Sequence, residues 1–371
     1  LLGTSLPAAD VELRSPGFPS SRVAEDGSLV EPWGAVGLKI IEPQGASVTD
    51  HRAEQAPMPM AVTRVEVGPV TMTQSAYRAP IWPSGVDVLE VLLANTAQAA
   101  TKVQLEVAVP KEMELGEFLG GVQGQPSLAL PAGLEPVREE RAWGCTGGVK
   151  ALPGWARPNV ECDPAFRNIS AGMGGVAITY RFAVEQGAKR TVILGFCESH
   201  HPAAGIRPVV AVVEGAKKQS IDPVDVWGQH VPGVVRCDAA DADRDGRLEV
   251  TVAPHPDASD RNTILNVIWV FDPGLPIDEK RLIAGGLNDR AERYVDVGGE
   301  NDQGLYKPGN PKYVLQLEPK EKREFFFMLR SPGCQSVPDP SLGHWDTTSL
   351  RKAAADVWQD RWEETAANKE Q

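Results

Sequence analysis

The stretch Val103-Gln-Leu105-Glu-Val107-Ala-Val109 alternates apolar and non-apolar residues without a break. A period of two places every second side chain on one face of an extended strand, and no helix can gather those residues on one side. The same alternation runs through Val176, Ile178, Tyr180, Phe182 and Val184, and through Leu89, Val91 and Leu93. Val62, Val65 and Val67 lie in a further β-prone run. Ile264 to Phe271 is apolar at nearly every position and fits the middle of a sheet covered on both sides. The expected fold is mainly β: a large antiparallel β-sandwich, either one supersandwich or two stacked sandwiches, with a C-terminal α-helix. The 36 Gly and 31 Pro supply the turns that many short strands require.

Two pairs of strands read as hairpins. Leu89–Leu93 and Val103–Val109 are joined by the polar turn at Asn95, and Val176–Val184 returns through Gly187 into Thr191–Phe196. The second motif recurs. Tyr180-Arg-Phe-Ala-Val-Glu185-Gln-Gly-Ala-Lys189-Arg190 aligns without gaps on Tyr313-Val-Leu-Gln-Leu-Glu318-Pro-Lys-Glu-Lys322-Arg323. One structural hairpin used twice, closing each of two β units, accounts for it, and a shared turn type selecting similar residues is the plain alternative. The expected organisation is an N-terminal strap over 1–57, a first sandwich unit over 58–215, a second over 216–340, and a C-terminal helical segment over 346–371. Within that last segment the helix proper is expected over about 348–366. Leu350, Ala354, Val357, Trp358 and Trp362 share one of its faces, and Asp346 or Thr348 caps its start.

The most specific chemical signal is Asp241-Ala-Asp243-Arg-Asp245-Gly246-Arg-Leu-Glu249. Carboxylates at alternate positions around a glycine suit a hard cation such as Ca2+, which takes several oxygen ligands at once. Asp241, Asp243, Asp245, Glu249 and the carbonyl of Arg247 are the expected ligands. An EF-hand requires Glu three residues later, where Val252 stands, so the loop belongs to a shorter class. A tight Asp/Gly turn without metal is the plain alternative.

Of the five cysteines, Cys145 and Cys162 are the best disulfide candidates, closing a Gly/Pro-rich loop, and buried free thiols are the other reading. Cys197-Glu-Ser-His200-His201 lacks the further ligands a zinc site needs. Asn168-Ile-Ser170 is a glycosylation sequon. Trp143 and Trp155 lie in a Gly/Pro-rich section and are the candidates for stacking on a carbohydrate ligand. The helix is expected to fold back on its own sandwich, leaving one of Trp358 and Trp362 partly exposed as the candidate anchor for a protein partner, with docking wholly on a partner as the alternative. No phosphate-loop, nucleophile-elbow or zinc-protease motif occurs. A net charge of -13 disfavours nucleic acid and anionic membrane partners, and no apolar run of transmembrane length is present. A calcium loop of this kind fits a periplasmic or extracellular location.

Cys162-Asp-Pro-Ala-Phe-Arg-Asn168, Leu194-Gly-Phe-Cys-Glu-Ser-His200 and Asp260-Arg-Asn-Thr-Ile-Leu-Asn-Val-Ile-Trp-Val-Phe271, together with the Asp loop, carry a resemblance over roughly residues 60 to 370. They resemble the N-terminal β-sandwich portion of mostly uncharacterised bacterial proteins that continue into an (α/α)6 barrel of the glucoamylase type. The resemblance implies that the closing helix corresponds to the linker joining sandwich to barrel. It also implies that catalytic carboxylates lie on the barrel, which is absent from these 371 residues, so no catalytic residue is carried over. The expectation is therefore a non-catalytic extracytoplasmic protein, a structural or binding subunit of a larger assembly. The alternatives are the N-terminal domain of a carbohydrate-active enzyme and a carbohydrate-binding module.

Overall fold

The computed structural model describes residues 10–15, 18–55, 57–80, 85–338 and 346–369, with helix side chains described as far as Asp360. The chain divides into two compact units, one formed by residues 1–139 with 308–371 and the other by residues 140–307. The expected boundaries at 57/58 and 215/216 are therefore corrected. The second unit is inserted into the first, and the first is completed only by the C-terminal part of the sequence.

The N-terminal segment is not a strap. Along the chain, unit one begins with β1 (Val11–Ser15), β2 (Phe18–Val23), β3 (Leu29–Glu31), β4 (Gly34–Glu42), β5 (Ser47–Glu54), β6 (Met60–Val67) and β7 (Val70–Ala79). It continues with β8 (Val86–Asn95), β9 (Thr101–Ala108), β10 (Glu114–Leu115), β11 (Leu119–Val122) and β12 (Gln125–Ala129). Unit two holds β13 (Trp143–Cys145), β14 (Lys150–Leu152), β15 (Ile169–Gly172), β16 (Ile178–Ala183), β17 (Lys189–Phe196), β18 (Val209–Val213) and β19 (Gln219–Ile221). After the short helix α1 (Pro223–Val226) come β20 (Gly233–Ala240), β21 (Arg247–Pro254), β22 (Thr263–Leu265) and β23 (Val267–Phe271). Helix α2 (Glu279–Ile283) and β24 (Arg293–Asp296) complete it. Unit one then closes with β25 (Lys312–Leu317), β26 (Lys322–Leu329) and α3 (Thr347–Lys369).

Unit one is a sandwich of a six-stranded sheet, β1-β2-β3-β4-β9-β25, and an eight-stranded sheet, β10-β11-β12-β26-β8-β7-β6-β5. The alternation in β9 decides the packing. Val103, Leu105 and Val107 are wholly buried and meet Leu89, Val91, Leu93, Phe325 and Phe327 from the facing sheet. The opposite face of the eight-stranded sheet is also apolar, with Val86 and Val88 of β8 and Tyr77 of β7, and α3 lies on it. Leu350 and Ala354 are buried there and Trp358 packs beside them. The helix thus docks on its own unit, as expected, and Trp358 is only partly buried there. The side chain of Trp362 lies outside the described residues. Val357, expected on the apolar face, is 40% exposed. Asp346 caps the helix, accepting from the Ser349 N–H at 2.8 Å. Arg351 donates to both oxygens of the buried Glu90, at 2.7 and 2.6 Å, and fixes the helix over β8.

Unit two pairs a five-stranded sheet, β13-β16-β21-β18-β19, with a four-stranded sheet, β20-β17-β23-β24. As expected for Ile264 to Phe271, β23 is interior and covered twice. Ile268 and Val270 enter the core between the sheets, while Val267, Trp269 and Phe271 enter a second core with Phe166, Ile169 and Leu282. A three-stranded sheet, β14-β15-β22, borders that second core.

The two expected hairpins are not hairpins. β8 and β9 lie in opposite sheets of unit one, and β16 and β17 in opposite sheets of unit two. Each connection is an arch that leaves one sheet and enters the facing one. Alternation fixes which residues face the core, and both sides of a sandwich face the same core, so the pattern is identical for either connection. The repeated motif is used twice, but as an arch and not as the expected hairpin. In unit one, the β25–β26 arch stacks on the β8–β9 arch, with Leu317 opposite Thr101 and Lys322 opposite Ala94. In unit two, the β16–β17 arch stacks on the β20–β21 arch, with Ala183 opposite Arg247 and Lys189 opposite Ala240.

The correspondence reaches single hydrogen bonds. The Asn95 N–H donates to the Glu321 carbonyl at 3.0 Å, and the Asp241 N–H donates to the Ala188 carbonyl at 3.0 Å. Gly187 and Lys320 hold matching positions in the motif, both at positive φ, 73° and 62°. Asn95 is buried and its Nδ2 donates to the carbonyls of Ala99, Leu317 and Glu318.

Candidate functional site

In unit two the residue matching Asn95 is Asp241, and its surroundings are inverted. The buried Asp241 carboxylate is met by amides rather than carbonyls. Gly187 donates to Oδ2 at 2.9 Å and Gly246 at 3.1 Å, and the Asp245 N–H donates to Oδ1 at 3.2 Å. Burial alone would raise its pKa, but the amides of Gly187, Gly246 and Arg244 outweigh it and hold the carboxyl below its ordinary range. The loop makes its turn with Arg244 and Gly246 at positive φ, 63° and 83°. Gly246 adopts this without the steric cost a side chain brings.

Glu214, directly after β18, joins this loop. Its Oε1 accepts from the N–H groups of Ala242 at 2.6 Å and Asp243 at 3.4 Å, and its Oε2 from Glu249 N–H at 3.3 Å. Ligand oxygens of Glu214, Asp241 and Asp243 lie within 4.8 Å of one another. This is an all-oxygen set, the chemistry of Ca2+ rather than of zinc. The residues present therefore fit a hard cation, but only Asp241 and Asp243 of the five expected ligands are among them, and Glu214 joins in place of Asp245, Arg247 and Glu249. Glu249 does not converge, because its Oε2 accepts from Arg181 Nε at 2.9 Å. It stands in β21 opposite Arg181, on a different course from the loop. Asp245 accepts from the Arg247 N–H at 2.8 Å and is not one of the three converging groups. Arg247 itself belongs to the β21 ladder opposite Ala183, with its guanidinium on Glu140 at 3.1 Å.

The other expected residues are dispersed. Trp143 stacks on Phe182 at 6.4 Å beside the core between the sheets. Trp155 packs against the second core, with the Arg207 guanidinium 5.7 Å over its ring. Each tryptophan has protein on one face, and the two do not share a platform. Cys145 and Cys162 are both free thiols, the first in the core between the sheets and the second beside the other core, so the expected disulfide is not formed. The Asn168 amide donates to both oxygens of Asp296, and Ser170 of the sequon is wholly buried.

Two buried ionic clusters were not apparent in the sequence. In unit two, Arg207 donates to Glu198 at 2.6 Å and to Asp260, and His201 Nε2 lies 2.7 Å from Asp260. Burial acts to raise the Asp260 pKa, but His201, the Asn262 N–H and Arg207 together pull it down to about 2. In unit one, Arg78 grips Asp87 with two bonds, 2.7 and 2.9 Å, and Ser21 donates to Asp87. Glu31 adjoins this pair, and burial together with the Asp87 charge pushes its pKa up to about 10. In both clusters the charges are consumed by one another, which is the arrangement of structural ion pairs.

No helix among the described residues is long and apolar enough to cross a membrane. No protein-family model matches the chain, and no curated protein matches it. Among solved structures, the ANX1 ectodomain from Arabidopsis thaliana aligns at 11% identity over 71% of this chain and 96% of that one, with a TM-score of 0.30. The ANX2 ectodomain from the same plant aligns at 12% identity over 71% and 96%, with a TM-score of 0.29. A beta-glucuronidase from Bacteroides uniformis aligns at 14% identity over 63% of this chain and 30% of its own length, with a TM-score of 0.29.

Proposed function

We propose that this chain is a non-catalytic extracytoplasmic β-sandwich protein, a structural or binding subunit of a larger assembly, whose second unit is braced by a calcium ion. The observation that carries this reading is the convergence of Glu214, Asp241 and Asp243 on the stacked arches. Three carboxylates held this close repel one another, and a divalent cation would relieve the repulsion while tying the end of β18 to the β20–β21 arch. Sites in extracellular modules work at about 10⁻⁴–10⁻³ M calcium, so an ion of this kind suits a compartment outside the cytoplasm. The ionic clusters support the non-catalytic part, since Arg207, Glu198, Asp260 and His201 satisfy one another. A protein partner, or a carbohydrate reached by Trp155, remains the class of ligand proposed.

The second reading is the N-terminal domain of a carbohydrate-active enzyme. The docking of α3 on its own sheet favours it, because that is how the linker helix of the resembling sandwich-plus-barrel proteins is placed.

The calcium test is thermal unfolding in 10 mM calcium against excess chelator. At calcium a hundredfold above Kd, mass action adds about 2.7 kcal/mol to the stability of the native state. Identical unfolding curves for the wild type in the two buffers would refute calcium. A panel of aryl glycosides and polysaccharides tests the non-catalytic part of the reading for this chain. The subunit reading expects no turnover. Hydrolysis lost on substitution of a single carboxylate would overturn it in favour of the enzyme.

A further inference from the structure

Cys162 stands just before the helical turn Pro164–Arg167, and Cys197 follows the end of β17. Cys197 belongs to the apolar cluster around Trp269, and Cys162 packs against that cluster. Two tethers draw the segment 156–163 over the end of β17. The Arg157 N–H donates to Ser199 Oγ at 2.8 Å, and Ser199 Oγ is 3.8 Å from Cys197 Sγ. The Asn159 N–H donates to the His230 carbonyl, and the His230 N–H donates in turn to the Glu198 carbonyl. Behind them Phe166 packs on Gly195, where an added Cβ would meet the ring at 3.0 Å, so β17 and the turn after Cys162 are in close contact. Burial raises the pKa of both thiols, and the charge of Cys162 adds to the rise at Cys197. The remaining cysteines are elsewhere: Cys145 and Cys237 in the core between the sheets, Cys334 in unit one.

We infer that Cys162 and Cys197 are a dithiol that closes to a disulfide in an oxidising compartment, with a small disulfide such as oxidised glutathione as the oxidant. Cys162 is half-buried and is the entry point, while Cys197 is wholly buried and is the resolving thiol. The Cys162 thiolate attacks one glutathione sulfur, forms a mixed disulfide and releases one glutathione thiolate. The Cys197 thiolate then attacks the Cys162 sulfur and releases the second. Two protein thiols give up two electrons and two protons, and one oxidised glutathione becomes two reduced molecules. The link fastens the segment before Pro164 to the end of β17.

The experiment uses the whole chain, incubated with oxidised glutathione at pH 8.5, quenched in acid, alkylated and mapped by mass spectrometry. The expected product is one peptide pair joined through Cys162 and Cys197, with Cys145, Cys237 and Cys334 still alkylated. The joined protein should melt at a higher temperature, and dithiothreitol should return it to the starting value. Cys162→Ser should leave Cys197 unmodified, and Cys197→Ser should stop at a glutathione adduct on Cys162. The inference is overturned if the wild type accumulates that adduct without closing. It is equally overturned if another cysteine enters the link, or if neither thiol reacts in the folded protein. The wild-type map decides the matter even where a variant folds poorly.

Discussion

Glu31→Gln tests the buried acid pair of unit one. Glu31 is 5% exposed and Asp87 is wholly buried, and Arg78 is bonded to Asp87. Asp87 takes both bonds from Arg78, so Glu31 is the partner that keeps a proton. Its pKa is raised from 4.5 to about 10, by burial first and by the Asp87 charge second. The direction of the linkage follows. Above pH 4.5 the unfolded chain has released this proton and the native state still holds it. Stability from the group is therefore complete below pH 4.5 and drains away as pH rises toward 10, by about 1.4 kcal/mol per pH unit for one proton. Between pH 6 and 8 that amounts to about 3 kcal/mol. Glutamine carries a permanent donor in place of the acid hydroxyl and has no proton to lose, so the variant should lack this slope. The assay is urea unfolding of wild type and variant at pH 6, 7 and 8, reading the difference between the two proteins so that all other titrating groups cancel. The variant should gain on the wild type steadily as pH rises. Parallel profiles over that range would refute the reasoning.

Three further outcomes are expected. Asp243→Asn should abolish the calcium-dependent rise in melting temperature while leaving the chelator curve nearly unchanged, and a retained calcium response would exclude Asp243 from the site. Leu350→Ala should cost about 2–4 kcal/mol by urea unfolding, since it empties a buried place beneath α3, and a value near zero would show the helix to be undocked in solution. Asp260→Asn should flatten the acid limb of stability. The depressed Asp260 pKa contributes above 3.8 and is lost as pH falls through about 2, and identical acid limbs for variant and wild type would dispose of that role.

The class of fold was legible because alternation in Val103–Val109 and Val176–Val184 is a direct statement about one buried face. The connections were not. A polar turn between two alternating runs serves a hairpin and an arch equally, and the choice is made by pairing with strands far away, β25 for β9 and β21 for β16. The repeat at Tyr180 and Tyr313 could be seen in the sequence, and both tyrosines are wholly buried, but its meaning as a sheet-to-sheet crossing could not. Of the three converging carboxylates, Asp241 and Asp243 were legible from their spacing. Glu214 was not, because only the antiparallel pairing of β18 with β21 carries it to the loop. Glu249 misled because linear spacing ignores the direction a strand residue must take once β21 has begun. Trp358 was placed on the correct face of α3, but composition alone does not say which surface that face covers.

The insertion of unit two into unit one has a consequence for the order of assembly. β8 and β9 are made early, yet the neighbours that complete them, β26 and β25, are translated only after all of residues 140–307. Until then each presents an unpaired backbone edge, the feature that invites association with other chains. Unit two, by contrast, is contiguous in sequence and can fold as soon as it has emerged. Synthesis therefore imposes a waiting period on the first unit that its own local contacts do nothing to shorten, because loop closure over so long a separation precedes any gain from pairing. Refolding of the whole chain should accordingly be slower and more sensitive to concentration than refolding of residues 140–307 alone.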